Sequence, residues 1–351
     1  FTHPRKDPPM RCRWLFALAV FASPLLAKAD DVSAVKGKDA IEFKSGSAVV
    51  AKYNHAPSWA KPFLYPVLAP GEVPVTRAWP VEKGTPGEKT NDHVHQKSAW
   101  FCHGDVIPEG IELKVKSANK GDHGVDFWSE AKDKDGSPRH GTIVCVKVGE
   151  PQQVAKNHVK IATTNEWKTP DGIKIMDEER VLHFIDLPSG RLFVFEITLK
   201  ASVCPIVFGD TKEGSFGVRV HDALRTEAPD GGTVTASDGT TVKAPAKDNL
   251  PVWGQVSLWN DYSGTVNGKA VGISVFSAPD NPPAAWHTRG YGLMAANPFG
   301  RNVSGFPSQK GKTELVRIEK GKEMKLRYAI FAHTGDAQTG KVAEAYEVFK
   351  K

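Results

Sequence analysis

Apolar and polar side chains alternate with period two along much of this chain. Residues 191–200 place Phe193, Phe195, Ile197 and Leu199 on one face, and Met324, Leu326, Tyr328 and Ile330 alternate with Lys325, Arg327 and Ala329. Residues 143–148 and 218–220 follow the same rhythm, which is that of half-buried strands. Between such runs stand Pro170-Asp171-Gly172, Pro188-Ser189-Gly190, Asp238-Gly239 and Asn267-Gly268. These residues suit the positive backbone angles of tight hairpins. Residues 229–247, rich in Gly and Thr, read as a surface hairpin. Helical spacing occurs once, near the C-terminus, where Val342, Ala345, Tyr346 and Phe349 form one apolar stripe and Asp336 is placed to cap it. Such a helix is expected to pack across a sheet edge or end. The pattern predicts an all-β protein, a large antiparallel β-sandwich with a short C-terminal helix. No Ser/Gly/Pro-rich linker divides residues 30–351, so one domain is expected there.

The first 29 residues read differently. Met10, Arg11 and Arg13 precede an apolar run over residues 14–26, and Ala27-Lys28-Ala29 fits a cleavage site after Ala29. This is the pattern of a secretory signal peptide behind an upstream extension, and it places the mature protein in the periplasm or outside the cell. The apolar run is too short for a membrane span, which needs ~20 residues, and none follows it. The full chain has 46 Lys+Arg against 40 Asp+Glu, a formal charge of +6. Residues 1–29 hold five of those bases and one acid, so the remainder carries 41 bases against 39 acids. No basic run suited to nucleic acid remains. Cys102, Cys145 and Cys204 match neither zinc nor thioredoxin spacing.

Candidate chemistry concentrates in three polar segments that interrupt the alternation. In Asn91-Asp92-His93-Val94-His95-Gln96, an extended backbone would turn His93 and His95 to one face, with Trp100 and His103 following. Two imidazoles can act as acid/base groups, as grips on hydroxyls, or as ligands to a divalent metal. Asp210-Thr211-Lys212-Glu213-Gly214 leads into a strand carrying Arg219, a fork for Glu213 or for a substrate carboxylate. His287-Thr288-Arg289, flanked by Trp286, Tyr291 and Asn297, repeats the i, i+2 arrangement. Aromatic faces beside fixed polar groups are the ingredients of a sugar site. Asp126-Phe127-Trp128 and Trp259-Asn260-Asp261-Tyr262 offer the same mix, while Trp167 and Trp253 suit packing. No Gly-x-Ser-x-Gly elbow or His-Glu-x-x-His helix occurs.

Four segments together resemble a bacterial family of secreted proteins labelled methane oxygenase PmoA: Trp59-Ala60-Lys61-Pro62-Phe63-Leu64-Tyr65-Pro66, Asp92-His93-Val94-His95-Gln96, Gly209-Asp210-Thr211-Lys212-Glu213-Gly214 with Arg219-Val220, and Trp286-His287-Thr288-Arg289-Gly290-Tyr291-Gly292-Leu293 with Asn297-Pro298-Phe299-Gly300. The family often reads His-His-Arg-Gly where this chain has His95-Gln96-Lys97-Ser98. The label implies no methane chemistry for a chain without membrane helices. The resemblance implies instead the large sandwich of aldose epimerases and related carbohydrate-active proteins, of galactose-mutarotase type.

These readings converge on an exported carbohydrate-active protein, with a sugar or other small polar molecule as partner and no nucleic acid. His93, His95, Glu213 and His287 are the candidate catalytic groups. Asp92, Gln96, Trp100, His103, Asp126, Trp128, Asp210, Arg219, Arg289, Tyr291 and Asn297 are the candidate substrate-binding residues. Epimerisation, elimination and hydrolysis stay open, and no cofactor is expected. The alternatives are a non-catalytic carbohydrate-binding protein and an enzyme with a divalent metal at His93 and His95.

Overall fold

A computed structural model describes residues 1–3, 31–248 and 250–351, so the expected leader lies, from residue 4 onward, outside the described residues. Two large antiparallel sheets face each other. The first runs Val32–Lys36, Ala40–Ser45, Ala48–Asn54, Phe63–Ala69, Ala99–His103, Gly214–Arg219, Leu293–Asn297 and Ala285–Trp286 in spatial order, with Val73–Pro74 beside Phe63–Ala69. The second runs Thr241–Lys243, Thr233–Ala236, Trp259–Val266, Lys269–Ser277, Glu323–Thr334, Gly190–Lys200, Lys174–Leu187, His158–Lys168 and Thr142–Val148, with Gln152–Ala155 on its flank. A small third sheet joins Val316–Ile318, Ile206–Phe208 and Val106–Pro108. The protein is an all-β antiparallel sandwich.

The alternation read from the sequence decides what fills the space between the sheets. Phe193, Phe195, Ile197 and Leu199 are all buried there. Phe43 from the first sheet meets Phe184 and Phe193 of the second at 6.1 and 6.0 Å between ring centroids, and Phe216 stacks on Tyr328 at 5.0 Å. Each such ring contributes ~1.5–3 kcal/mol by leaving water. The expected turns form as well. Asn267 and Gly268, with φ of 51° and 76°, close the Trp259–Val266/Lys269–Ser277 hairpin.

The C-terminal helix spans Val342–Phe349 and buries all four stripe residues. Two details differ from expectation. Lys341, at φ 57°, occupies the N-cap, while Asp336 accepts from Gln338 and Thr339 in the preceding turn. The helix also covers a sheet face rather than an edge, packing on Leu192, Val194, Phe276 and Phe331 of the second sheet. Those four side chains have the parity opposite to the main core, and a layer was needed to keep them from water.

One polar network sits inside the sandwich. Arg180 donates to Glu178 (2.6 Å) and Tyr53 (3.0 Å), and Glu178 accepts from Asn165 (3.0 Å) and Trp167 (2.8 Å). Arg180 and Glu178 are fully buried. Removing one partner leaves the other charge without compensation. Arg180→Leu should therefore lower unfolding free energy by about 3–5 kcal/mol in urea titrations. An unchanged midpoint would contradict this role for the pair.

Candidate functional site

The site lies on the face of the first sheet turned away from the sandwich core. In Gly214–Arg219, Phe216 and Val218 point inward, so Ser215, Gly217 and Arg219 share the other face with Trp100 of the adjoining strand. Gly217 is a matter of space: a Cβ there would stand 2.7 Å from the Trp100 indole. Trp100 in turn packs against Trp128 at 5.1 Å. Both indoles are buried and form the floor of the site, so neither Trp100 nor Trp128 presents the open stacking face that the sequence suggested.

The histidine segment is not extended. His93 takes φ 46°, in the left-handed region that His tolerates better than most residues, and Gln96 N–H donates to His93 O at 2.9 Å. This turn exposes Val94 and brings the His93 and His95 rings to 5.6 Å, nearly perpendicular. The two imidazoles do meet, by a turn rather than by strand alternation.

Two fully buried guanidiniums fix that turn. Arg77 donates to Asp92 (2.7 Å) and to the carbonyl oxygens of His93 (3.2 Å) and Gln96 (3.4 Å). Arg219 donates to Gln96 Oε1 (2.7 Å) and to both Asp92 oxygens (3.1 and 3.4 Å). Arg219 is thus committed to Asp92 and Gln96, not to Glu213 or a ligand carboxylate, and Asp92 and Gln96 position rather than bind. Asp92 also accepts a hydrogen bond from His93 Nδ1. Burial opposes ionisation of Asp92. The His93 bond and the Arg219, His93 and Arg77 charges outweigh it and hold the carboxyl well below the usual range. Arg77 escaped the sequence reading. Its signal was an arginine on the buried parity of Val73 and Val75.

Tyr291 stacks on His93 at 5.2 Å and 9°, with the Arg219 guanidinium 4.6 Å from its centroid and that of Arg289 at 5.7 Å. Burial, chiefly, pushes the Tyr291 hydroxyl up to about 12. The Arg289 stretch is extended as expected: His287 and Arg289 pair with Ala295 and Leu293, and Tyr262 donates to Arg289 O at 2.5 Å from the other sheet. Among the described residues the Arg289 guanidinium forms no hydrogen bond or ion pair, and its Nε is buried without a partner.

Glu213 places a carboxyl near His93 and Arg289. Its carboxyl also makes no hydrogen bond or ion pair to a described residue, while its main chain is pinned where Gly104 N–H donates to Glu213 O at 2.7 Å. Burial pushes the Glu213 carboxyl up; Lys212, His93 and Arg289 lie near enough to oppose this, and Asp126 adds to it. His95 is neutral, pushed down to about 3 by burial and then by the Lys61 and His93 charges. Beside it, Lys97 donates to Glu130 (2.5 and 2.7 Å) and Val94 O (2.9 Å), and Lys61 donates to Trp128 O (2.9 Å). Burial lowers Lys97 to about 8 against the pull of Glu130. Lys61, Lys97 and Glu130 were not singled out from the sequence, although Lys61 falls within the Trp59–Pro66 motif.

Five of the expected site residues turn out to build the frame. His103 faces inward against Phe208 and Phe299, donates from Nε2 to Gly209 O (2.8 Å), and is lowered to about 4 by burial. Asp126 accepts from Trp128 N (2.7 Å), Ser129 N (3.0 Å) and Asn119 (3.0 Å). Asp210 accepts from Arg301 N (2.6 Å), Val303 N (2.5 Å) and Ser304 N (2.9 Å). Asn297 donates to Thr211 O (2.9 Å) and accepts from Phe299 N and Gly300 N. His287 contacts Lys212 O through Nδ1 (3.1 Å) and is pushed down to about 3 by burial and the Arg289 charge, so it is a fixed neutral support for the Glu213 loop.

No group of three or more His, Cys, Asp or Glu side chains among the described residues could hold a metal ion, and His93 Nδ1 is already taken by Asp92. The sugar-site expectation for Trp259–Tyr262 is not met either: Asn260, Asp261 and Tyr262 are buried, the aspartate against His333 at 2.8 Å.

Residues 40–347 match the family described as "Family of unknown function (DUF6807)", and the chain belongs to it. That description does not carry the methane oxygenase label. Comparison with curated protein sequences returns no match. Among solved structures the chain is similar to the α-galactosidase from Lactobacillus brevis (TM-score 0.40, 8% identity, covering 88% of this chain and 40% of that one). It is also similar to galactose mutarotase-like proteins from Clostridium acetobutylicum (0.40, 8%, covering 87% and 99%) and Lactobacillus casei ATCC 334 (0.34, 11%, covering 86% and 100%). The chain thus spans about two fifths of the α-galactosidase. No helix among the described residues is long and apolar enough to cross a membrane.

A half-buried carboxyl without a partner has a signature in stability. Because the folded protein raises the Glu213 pKa, it binds the proton more tightly than the unfolded chain does, and stability is lost as pH rises through the folded value. Glu213→Gln should melt at a higher temperature than the parent at pH 7, with the gap closing below the unfolded carboxyl value of ~4.3. A variant that melts lower at pH 7 would show that the carboxylate is satisfied.

Proposed function

We propose that this protein is an exported carbohydrate-active enzyme whose acid/base pair is His93 and Glu213. The observation that carries the reading is the contrast between their environments. Asp92 accepts from His93 Nδ1 and is itself held by two arginines, which leaves the lone pair on Nε2 free to accept a proton. Glu213, half-buried and without a side-chain partner among the described residues, keeps its proton to higher pH than an exposed glutamate and can donate it. A base oriented by a carboxylate and an acid whose surroundings favour its protonated form are the two roles this chemistry needs.

A carbohydrate suits the rest of the site. Arg289, with its Nε buried and unpartnered, and the neutral His95 imidazole offer groups that can bond hydroxyls, beside the Tyr291 ring. The resemblance noted in the sequence implies the same substrate class. The base takes a proton from a hydroxyl or acidic C–H, and Glu213 gives one to the ring or glycosidic oxygen; epimerisation, elimination and hydrolysis all contain this exchange. The leader pattern at residues 1–29 supports action in the periplasm or beyond.

The test is turnover on a panel of aldoses, keto-sugars and glycosides followed by NMR. His93→Ala and Glu213→Gln should each lower kcat by roughly 10²–10⁴-fold, the usual range for a positioned proton-transfer group. His95→Ala should act mainly on KM. Full turnover in both acid/base variants overturns the pair, and saturable sugar binding without product favours a binding protein instead.

A further inference from the structure

We propose that the groove beside Glu213 is a second sugar subsite, so that the substrate is an oligosaccharide or glycoside rather than a free monosaccharide; this rests on the acid/base reading above. Glu213 stands between a side-chain cluster and a groove. Its electrostatic neighbours His93 and Arg289 both pack on the Tyr291 ring. It also lines a groove of about 420 Å³ with Asn119, Lys120, Asp122, Lys212 and Val303. That volume falls within the range of ligand sites. A proton donor between that cluster and the groove sits where a linkage between two sugar units would lie.

The groove is built rather than incidental. One wall, residues 119–122, is tied through Asn119 to Asp126, which also holds the Trp128 main chain. The opposite wall is tied through Asp210, which accepts from Val303 and Ser304 N–H. Asp210 leads directly into Glu213, so the walls and the acid form one frame. The lining also matches a sugar. Lys120 and Lys212 can donate, Asn119 Oδ1 and Asp122 can accept, and Val303, 78% exposed, offers an aliphatic face for ring C–H groups. Burial, with the Asp105 and Asp126 charges, raises Asp122 to about 6, so this carboxyl accepts and donates near neutral pH.

Calorimetric titration with glucose, galactose and mannose, and with their β-1,4- and α-1,6-linked disaccharides, tests the assignment. The disaccharide of the hexose that binds should bind at least tenfold more tightly than the hexose. Val303→Trp, which fills the groove from an exposed position, should abolish that advantage while leaving the hexose Kd within twofold. The double variant Lys120→Ala/Asp122→Asn gives the same comparison without added bulk, and thermal melts verify that both fold. Equal Kd for hexose and disaccharide, or an advantage that survives both variants, overturns the subsite and leaves the acid/base pair standing. Full turnover in both His93→Ala and Glu213→Gln with an intact disaccharide advantage overturns the acid/base pair and leaves the subsite standing. No sugar bound by the parent protein overturns both.

Discussion

Two buried guanidiniums sharing one carboxylate hold the site together. Arg77 and Arg219 come from segments 142 positions apart in number, and like charges out of water repel and lose hydration. Asp92, Gln96 and two carbonyl oxygens compensate them. The result is a rigid clamp on the 92–96 turn, with His93 in the left-handed region and its Nδ1 bonded to the same carboxylate. Strain of that kind persists only where surroundings over-determine it, and it gathers at functional sites. Without the clamp, neither the imidazole orientation nor the stack on Tyr291 would be fixed.

A second set of acidic and amide side chains does for the loops what the arginines do for the turn. Asp126, Asp210 and Asn297 each satisfy several backbone N–H groups that a sheet ladder cannot reach. Long loops over a sheet face carry many such orphans, and short acceptors are the economical way to pair them. This use of Asp and Asn consumes residues that look reactive in the sequence. It also leaves Glu213 and Arg289 conspicuous, since almost every other buried charge nearby has been given a partner.

The core parity of 191–200 and 323–334, the Asn267-Gly268 hairpin and the stripe of the terminal helix were legible because each depends on neighbours within a few residues. His93, Glu213, Arg289 and Tyr291 stood out because charge and aromatic rings broke that parity. Their roles were less legible. Arg219 reads the same whether it faces a ligand or Asp92, and His287 the same whether it is free or locked on Lys212 O. Arg77 and the Lys61/Lys97/Glu130 group were missed because a charged residue on a buried parity has meaning only once its partner is known. Asp336 and Lys341 show the same limit at short range, where backbone geometry rather than side-chain type chose the cap.

The sequence alone determined that this chain folds as paired antiparallel strands with a polar belt of three motifs, since a two-residue period and turn chemistry are local properties of the backbone. Only the tertiary structure decided which polar side chains are spent on the frame and which stay unpaired. That division depends on strand register and loop closure between segments separated by a hundred residues or more, and on how much water each charge loses there.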